Sequence, residues 1–269
     1  MVWRLLDDGE LNIYRNLSIE ESLARVNAGL EEKVNTLRFW RSRQAVVIGR
    51  FQCVHKEVNL EYCKRYSIPV ARRFTGGGAV YHDEGNLNVT LCLDQKERGV
   101  SRTLGELYWN FFGRIASGLQ DIGIPARFDP DWQCLRIDRK KITGTAGWLK
   151  SGVSFLHGTL LIDADLGALA DCLKVPPNQP VYLRDKSKVR CKESRRDVVT
   201  TIASELESRP SNEEIKSAIR RSMEKMVGRD IEKSSLTDEE VEVAESLYQT
   251  RYRLSEWNLG IKVEDSNNN

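Results

Sequence analysis

The sequence predicts an α/β fold of the α+β type, a mixed sheet flanked by helices, in which helices dominate from about residue 181. Two observations lead to this fold class. Short apolar runs of strand type recur through the first two thirds of the chain, separated by stretches with helical periodicity. The composition then changes at a proline-rich segment, and two capping boxes that begin at Ser211 and Thr237 predict helices beyond it.

The individual elements follow from the spacing of apolar residues. Ser18-x-x-Glu21 matches a capping box, so a helix is expected to begin at Ser18. Residues 103–122 carry apolar side chains on one face, which predicts a long amphipathic helix. The expected strands are 2–7, 36–40, 45–49, 68–72, 79–81, 86–93, 133–138, 141–145 and 155–162, and the further expected helices are 58–66, 166–173 and 197–206. One domain is expected over 1–260, with a disordered tail over 261–269.

Composition excludes several classes of function. The net charge of +2 and the pI near 8.2 are too balanced for a nucleic-acid-binding protein, and the basic run at 186–196 is expected to be a solvated face. There is no transmembrane run of apolar residues and no signal-peptide core, so a cytoplasmic protein with no membrane partner is expected. The six cysteines are scattered without a C-x-x-C pair, which favours reduced thiols over a zinc site.

The most informative segment is residues 72–83, RRFTGGGAVYHD. Three consecutive glycines let backbone amides approach a ligand closely, and the neighbouring arginines favour an anionic ligand. The segment matches neither the Walker A loop nor G-x-G-x-x-G. A strand is expected after it, so phosphate binding at a helix N-terminus is not expected. The simpler alternative is a structural turn.

Two further segments combine small residues with a cation or a histidine, KKITGTAG at 140–147 and HGTLL at 157–161. Neither H-E-x-x-H nor G-x-S-x-G occurs, which argues against a histidine metal site and a serine hydrolase. Arginines, a glycine loop and a strand lysine together fit the activation of a carboxylate by ATP, which forms an acyl-adenylate and pyrophosphate and normally involves Mg²⁺. The histidines are alternatively core residues that bond to the backbone.

At these residues the chain resembles the lipoate–protein ligases, which share a fold group with the biotin–protein ligases. Residues 72–86 match the family motif R-R-x-[S/T]-G-G-G-A-V-[F/Y]-H-D-x-G-[N/D]. Residues 141–146 match K-[V/I]-x-G-[S/T]-A, 157–161 match H-G-[S/T]-L-L, and 256–260 match E-W-N-x-G. The resemblance runs from about residue 5 to residue 260, and the first motif is the specific one.

The resemblance implies that lipoate and ATP form lipoyl-AMP and that the lipoyl group then passes to a lysine of a carrier domain. The implied carriers are the E2 type of 2-oxoacid dehydrogenases or the glycine-cleavage H protein. Strand alternation places Lys140 and Lys141 on opposite faces, and the motif makes Lys141 the catalytic lysine. Asp83 is a candidate Mg²⁺ ligand or a turn-capping residue. The implied contacts to ATP and lipoyl-AMP are Arg73, Gly78, Ala79, Val80, Tyr81 and Lys141, and the implied lipoate pocket is Arg72, Thr75, Gly76, Gly77, His82, Asn88 and His157.

One departure from the family pattern concerns the C-terminal end. Many bacterial members carry a small additional domain there that is needed to form the adenylate. Here nine residues follow Gly260, since 269 − 260 = 9. By this resemblance the chain is expected to be the large catalytic subunit of a split, archaeal-type ligase whose small accessory subunit is a separate polypeptide.

Three other functions remain open at this point. Related octanoyltransferases use no ATP and pass the acyl group through a cysteine upstream of the motif lysine. Cys134 is the candidate here, but it precedes Lys141 by only seven residues. The nucleophile is expected near Ala126, so Cys134 is expected to be a buried strand residue. An ATP-independent lipoyl or octanoyl transferase and a non-catalytic carrier-binding module remain alternatives. Biotin attachment is disfavoured because no Gly-Arg-Gly-Arg loop occurs.

Overall fold

The computed structural model describes residues 2–97, 99–183 and 191–263. Within these ranges the strands are β1 (Trp3–Asp7), β2 (Asn35–Trp40), β3 (Ala45–Ile48), β4 (Val70–Arg72), β5 (Val80–His82), β6 (Asn86–Asp94), β7 (Ala126–Asp129), β8 (Cys134–Ile137), β9 (Lys140–Lys141), β10 (Thr143–Lys150), β11 (Val153–Leu161), β12 (Tyr182–Leu183), β13 (Glu232–Lys233) and β14 (Ile261–Lys262). The helices are α1 (Ile13–Gly29), α2 (Leu60–Arg65), α3 (Leu104–Leu107), α4 (Gly113–Gln120), α5 (Leu166–Leu173), α6 (Ile202–Glu205), α7 (Asn212–Val227), α8 (Asp238–Leu247) and α9 (Ser255–Asn258).

The main sheet has six strands in the order β10-β11-β6-β2-β1-β13. Strand β1 runs parallel to β2 and β13, and the pairs β2–β6, β6–β11 and β10–β11 are antiparallel. Two three-stranded sheets, β4-β3-β5 and β7-β8-β9, and the antiparallel pair β12-β14 complete the strand pairing among the described residues. The predicted fold class, a mixed sheet flanked by helices, is confirmed.

The largest apolar cluster lies on one face of the main sheet. Alternating side chains of β2, β6 and β11 point to this face, where α4, α7 and a π-helical turn (Tyr108–Phe112) cover them. Burial of these side chains is the main source of stability for the sheet. The cluster includes Leu37, Phe39, Val89, Leu91, Leu156, Phe111, Phe112, Ile115, Leu119, Ile215 and Ile219. The opposite face carries the polar side chains of the sheet beside a smaller apolar cluster that includes Leu6, Cys92 and Phe155.

The first helix begins earlier than predicted. Helix α1 starts at Ile13, and its N-cap is Asn12, whose side chain accepts hydrogen bonds from the amides of Tyr14 and Arg15. Ser18 lies inside the helix, where its hydroxyl donates to the carbonyl of Arg15 at 2.8 Å. The capping-box prediction was therefore wrong at Ser18, although the boxes at Ser211 and Thr237 are confirmed.

Three other expectations need correction. Of the helix expected over 197–206, only the short helix α6 forms. The residues before it are extended, because the backbones of Val198 and Thr200 hydrogen-bond to the backbone of Lys141 in strand β9. The helix expected over 103–122 is interrupted by the π-helical turn. In the expected tail, Ile261–Lys262 form β14 and pair with β12, whereas residues 264–269 lie outside the described residues. None of the described helices has the length and apolar composition needed to cross a membrane.

Candidate active site

Strand register builds the polar face of the main sheet. Arg38, Thr90, His157 and Ala146 are direct neighbours across β2, β6, β11 and β10. Two residues along, Trp40, Asn88, Thr159 and Gly144 form a second row in the same way. Residues two apart on a strand share a face, so both rows point away from the apolar cluster. Helix α1 packs over these rows, and the site lies between them and the glycine loop.

The glycine loop joins β4 to β5 and folds around Arg73. The guanidinium donates to the carbonyls of Gly76 and Gly78 at 2.6 and 2.7 Å, and its Nε donates to Thr75 Oγ1 at 3.1 Å. Gly77 has a φ of +87°, and a Cβ on it would meet Arg73 Nη2 at 2.7 Å. The loop therefore needs glycine at position 77 for both conformation and space.

Arg73 is a buried cation, with 4% of its surface exposed. Burial lowers the pKa of Arg73 to about 10, so the guanidinium still carries its charge at neutral pH. The ion pairs seen among the described residues include no carboxylate partner for it. Its hydrogen bonds go to neutral oxygens, which do not cancel its positive charge. The site can therefore attract an anionic ligand.

The two histidines of the site, His82 and His157, are neutral, and the Nε2 atoms of their rings have opposite hydrogen-bonding roles. Burial, reinforced by the charge of Arg73, lowers the pKa of His82 to about 3. Its Nε2 lies 3.1 Å from Thr159 Oγ1, which itself donates to Asn88 Oδ1. The Thr159 oxygen must therefore accept, and His82 carries its proton on Nε2. Burial also lowers the pKa of His157, against the opposing effect of a nearby carboxylate.

Two adjoining cavities open on this face. The larger, of about 680 Å³, is lined by Arg73, His82, Asn88 and His157 on its polar side. The smaller, of about 360 Å³, has a largely apolar wall. Apolar side chains of the larger cavity are Leu17, Trp40, Phe74, Leu104, Tyr108 and Trp148, and those of the smaller are Leu161, Leu166, Leu169, Ala170 and Leu173. Residues Ala79, Val80, Lys141, Gly144, Thr159, Ser194 and Arg195 line both.

The two adjacent lysines separate as strand alternation predicts. Lys141 lines both cavities and is partly buried, whereas Lys140 is exposed and its Nζ pairs with Glu205 at 2.7 Å. Backbone bonds hold β9 in place, because the amide of Lys141 donates to Val198 and its carbonyl accepts from Thr200. Lys141 thus provides a positive charge at the junction of the cavities.

Three of the predicted site residues, Arg72, Thr75 and Asp83, do not line either cavity. Arg72 does not line either cavity; its Nε and Nη1 donate to the carbonyls of Trp257, Gly49 and Gln52. Both carboxylate oxygens of Asp83 accept backbone amides, which supports the turn-capping interpretation. Thr75 is behind the cavity wall, whereas Gly76, Gly77, Gly78, Ala79, Val80, His82, Asn88 and His157 line the larger cavity and Tyr81 lines the smaller.

A distant segment completes the site, and the sequence did not reveal it. Ser194 Oγ accepts a hydrogen bond from the amide of Ala79 at 2.8 Å and donates to Glu57 at 2.5 Å. The segment is anchored by a disulfide between Cys53 and Cys191, so the expected reduced state is wrong for this pair. The described part of the basic run, 191–196, contributes to both cavities rather than being only a solvated face. Residues 186–190 lie outside the described residues.

The remaining cysteines are structural. Cys63, Cys92, Cys134 and Cys172 are free and buried. Burial raises the pKa of the Cys134 thiol, and Ala126 is also buried, in β7. Among the described residues no cysteine lines either cavity.

The family model of the lipoyl protein ligase A/B catalytic domain matches residues 12–224. The chain belongs to this family. It is 32% identical over 233 residues to lipoate-protein ligase A subunit 1 of Thermoplasma acidophilum, which covers 84% of each chain. It is 30% identical over 282 residues to octanoyltransferase LipM of Brevibacillus brevis, which covers 96% of this chain and 98% of that protein.

Solved structures of lipoate–protein ligases have the same fold. A putative lipoate protein ligase from T. acidophilum with bound lipoic acid has a TM-score of 0.81 at 26% identity and covers 97% of this chain and 100% of its own. A lipoate-protein ligase A bound with ATP has a TM-score of 0.81 at 28% identity, with the same coverage. A bi-partite lipoate protein ligase from T. acidophilum, described with its E2 lipoyl domain, has a TM-score of 0.78 at 28% identity and covers 99% of both chains. The family recognised from the motifs is confirmed.

Proposed function

We propose that this chain is the catalytic subunit of an ATP-dependent lipoate–protein ligase. It would convert lipoate and ATP into lipoyl-AMP and transfer the lipoyl group to a lysine of a lipoyl carrier domain in the cytoplasm. The observation that carries the proposal is the position of Lys141, whose side chain lines both cavities. A cation there can contact the carboxylate of one substrate and a phosphate of the other.

The walls of the cavities fit the two substrates. The aromatic and aliphatic side chains of the larger cavity suit the acyl chain and dithiolane of lipoate, with the carboxylate directed towards Lys141. The leucines of the smaller cavity suit the faces of an adenine ring, and Lys174, Arg195 and Arg196 on its wall suit the phosphates. Neighbouring structures with bound lipoic acid and with bound ATP support lipoate and ATP as the two substrates.

The chemistry follows from this arrangement in two steps. A lipoate carboxylate oxygen attacks the α-phosphorus of ATP, and pyrophosphate leaves with the electrons of the broken P–O bond. Lys141 offsets the charge that develops on the phosphate oxygens. The carrier lysine amine then attacks the carbonyl carbon of lipoyl-AMP, AMP leaves, and an amide forms. The incoming amine must be unprotonated, and its desolvation on entry lowers its pKa in the required direction.

Mg²⁺ is expected to arrive with the phosphates of ATP rather than at a site of the protein. The two oxygens of Asp83 already accept backbone amides, so this residue does not fit as a ligand. The described residues contain no cluster of three His, Cys, Asp or Glu side chains that would hold a metal. Binding through substrate phosphates is the usual mode for this ion.

The proposed partners are a second ligase subunit and a lipoyl carrier domain. The chain aligns along nearly its whole length with a bi-partite ligase whose E2 lipoyl domain was described with it. Lipoate-protein ligase A subunit 1 supports the same division of labour. An E2-type lipoyl domain is the first carrier to test, and the glycine-cleavage H protein is the second.

A single assay tests the proposal. The chain is incubated with lipoate, ATP, Mg²⁺ and an E2 lipoyl domain, with and without the second subunit, and the carrier is weighed by mass spectrometry. We expect the lipoyl mass increase only with ATP. Lys141→Ala is expected to lower the rate by at least about a hundredfold, because it removes charge stabilisation of the transition state. Lys140→Ala is the matched control. Its rate of carrier modification is expected to lie within about twofold of the wild-type rate, because Lys140 pairs with Glu205 outside the cavities.

An ATP-independent octanoyltransferase is the second candidate, because LipM is similar over almost the whole chain. The absence of a cysteine from the described lining of both cavities argues against it. Transfer of an octanoyl group to the carrier from an acyl carrier protein without ATP would favour this candidate. Full lipoylation activity retained in cells by Lys141→Ala, together with no carrier modification by the purified wild-type chain, would instead favour a non-catalytic carrier-binding module.

A further inference from the structure

A buried carboxylate lies directly behind the site. Glu20, on helix α1, has no exposed surface and does not line either cavity. Its Oε1 accepts from Arg38 Nη1 at 3.1 Å, and its Oε2 lies 2.9 Å from His157 Nδ1. Thr90 Oγ1 is within 2.9 Å of both oxygens. Glu20 is therefore held between a guanidinium on one side and an active-site histidine on the other.

This arrangement fixes the tautomer of His157. A carboxylate can only accept, so the single proton of the neutral imidazole must be on Nδ1. His157 Nε2 then has a free lone pair and lies 2.8 Å from Thr75 Oγ1, which must donate to it. The oxygen of Thr75 keeps its lone pairs for Arg73, whose Nε donates to it at 3.1 Å. Each bond in the chain determines the direction of the next.

We propose that Glu20 is a positioning residue of the ligase site, acting through His157 and Thr75 to orient the guanidinium of Arg73. Arg73 in turn holds the carbonyls of Gly76 and Gly78, so the carboxylate determines how the glycine loop and its cation are presented to the anionic ligand. The proposal rests on the proposed function for the identity of that ligand. The direction of the hydrogen bonds is independent of it.

Glu20→Gln tests this direction. The donor Arg38 Nη1 requires the amide oxygen of the new glutamine to take the Oε1 position. The amide NH₂ then faces His157 Nδ1 and donates to it, which moves the ring proton to Nε2. Thr75 would then have to accept from both His157 and Arg73, and its own hydroxyl proton would lose His157 Nε2 as acceptor, so the hydroxyl must reorient and its bond to Arg73 weakens. We expect the affinity for lipoic acid to fall on the order of tenfold, because a hydrogen bond to a charged group is weakened.

Two measurements separate a positioning role from a structural one. Nitrogen-15 NMR of the imidazole rings reports the tautomer. Only three histidines are present, so His55→Gln and His82→Gln variants together assign the resonances of all three. Isothermal titration calorimetry with lipoic acid reports the affinity. Wild-type His157 is expected as the Nδ1–H tautomer and the Glu20→Gln protein as Nε2–H, with weaker binding. An unchanged tautomer together with unchanged affinity would overturn the proposal.

Glu21→Gln is the matched control. Glu21 is the next residue of α1, is also buried, and pairs with Arg251, Arg25 and Tyr252 outside the site. Its substitution removes a comparable buried charge, so it is expected to lower stability while leaving the His157 tautomer and lipoic acid affinity unchanged. A loss of affinity in Glu21→Gln as large as in Glu20→Gln would mean that both act through stability, against the proposal.

Glu20→Asp covers the case in which Glu20→Gln does not fold. Aspartate keeps the negative charge for Arg38 but retracts the carboxylate by one methylene, so it loses contact with His157. Affinity is again expected to fall on the order of tenfold, and wild-type affinity in this variant would overturn the proposal. If the wild-type chain itself fails to bind lipoic acid, the proposed function fails, whereas the tautomer measurement still tests the role of Glu20.

Discussion

At the scale of single residues, the glycine loop provides the most direct test of the site. Gly77 combines a φ of +87° with the close approach of Arg73 Nη2 to its missing Cβ. We expect Gly77→Ala to lower the free energy of unfolding by about 1–3 kcal/mol, because alanine is strained at this φ. It should also displace the guanidinium from the carbonyls of Gly76 and Gly78 and weaken lipoic acid binding. Chemical denaturation and calorimetry measure the two effects.

The neighbouring glycine is the control for this prediction. A Cβ on Gly76 would have Phe51 as its nearest neighbour, at 4.0 Å, and its φ is not in the left-handed region. Gly76→Ala is therefore expected to change the free energy of unfolding by less than about 0.5 kcal/mol. If both variants behave alike, the conformation of the loop is not what presents Arg73 to the ligand.

At the scale of elements, helix α1 shows where sequence patterns are ambiguous. The capping-box pattern at Ser18 is real as a sequence pattern, but the chain is already helical from Ile13. A helix that began at Ser18 would have Glu20 and Glu21 in its first turn, where acidic residues are favourable. They are instead mid-helix residues with buried partners. A cap can be recognised from the sequence, but whether it is used depends on tertiary contacts.

The start of α1 can be tested directly. The side chain of Asn12 accepts hydrogen bonds from the amides of Tyr14 and Arg15, so Asn12→Ala should lower the free energy of unfolding by about 1 kcal/mol. Ser18→Ala should change it by less than about 0.5 kcal/mol, because the hydroxyl bonds to a carbonyl within the helix. Urea denaturation of both variants measures the difference. The opposite order of effects would place the N-terminus of the helix at Ser18.

Sequence patterns located one part of the site and missed another for a physical reason. Lys141, the glycine loop and His157 stand in short motifs, and β-strand periodicity was enough to separate Lys141 from Lys140. Glu20 and Ser194 reach the site only through tertiary packing, from a helix and from a segment far along the chain. A buried acid on an amphipathic helix has no local signal that distinguishes it from a solvated one. A polar residue at an apolar position of α1 was the available hint at Glu20.

At the scale of the whole molecule, the disulfide connects the two ends of the site. Cys53 follows β3 next to the glycine loop, and Cys191 begins the segment that carries Ser194. Since 138 residues separate the cysteines, the bond closes a loop that includes most of both cavity walls. Restricting so long a loop reduces the entropy of the unfolded chain, which in the chain-entropy model stabilises the fold by about 4–5 kcal/mol.

We therefore expect a reductant to lower the thermal unfolding midpoint of the wild-type protein and to weaken lipoic acid binding, because the segment with Ser194 loses its anchor to the loop after β3. A Cys53→Ser/Cys191→Ser double variant should unfold at the lower midpoint with or without reductant. Calorimetry with and without reductant measures the unfolding midpoint and the lipoic acid affinity. Alkylation and mass spectrometry verify the thiol state in each sample. If the reduced wild-type protein keeps the oxidised midpoint and affinity, Ser194 is held at Ala79 by its bonds to Glu57 and Gln52 alone, and the covalent link is unnecessary to the site.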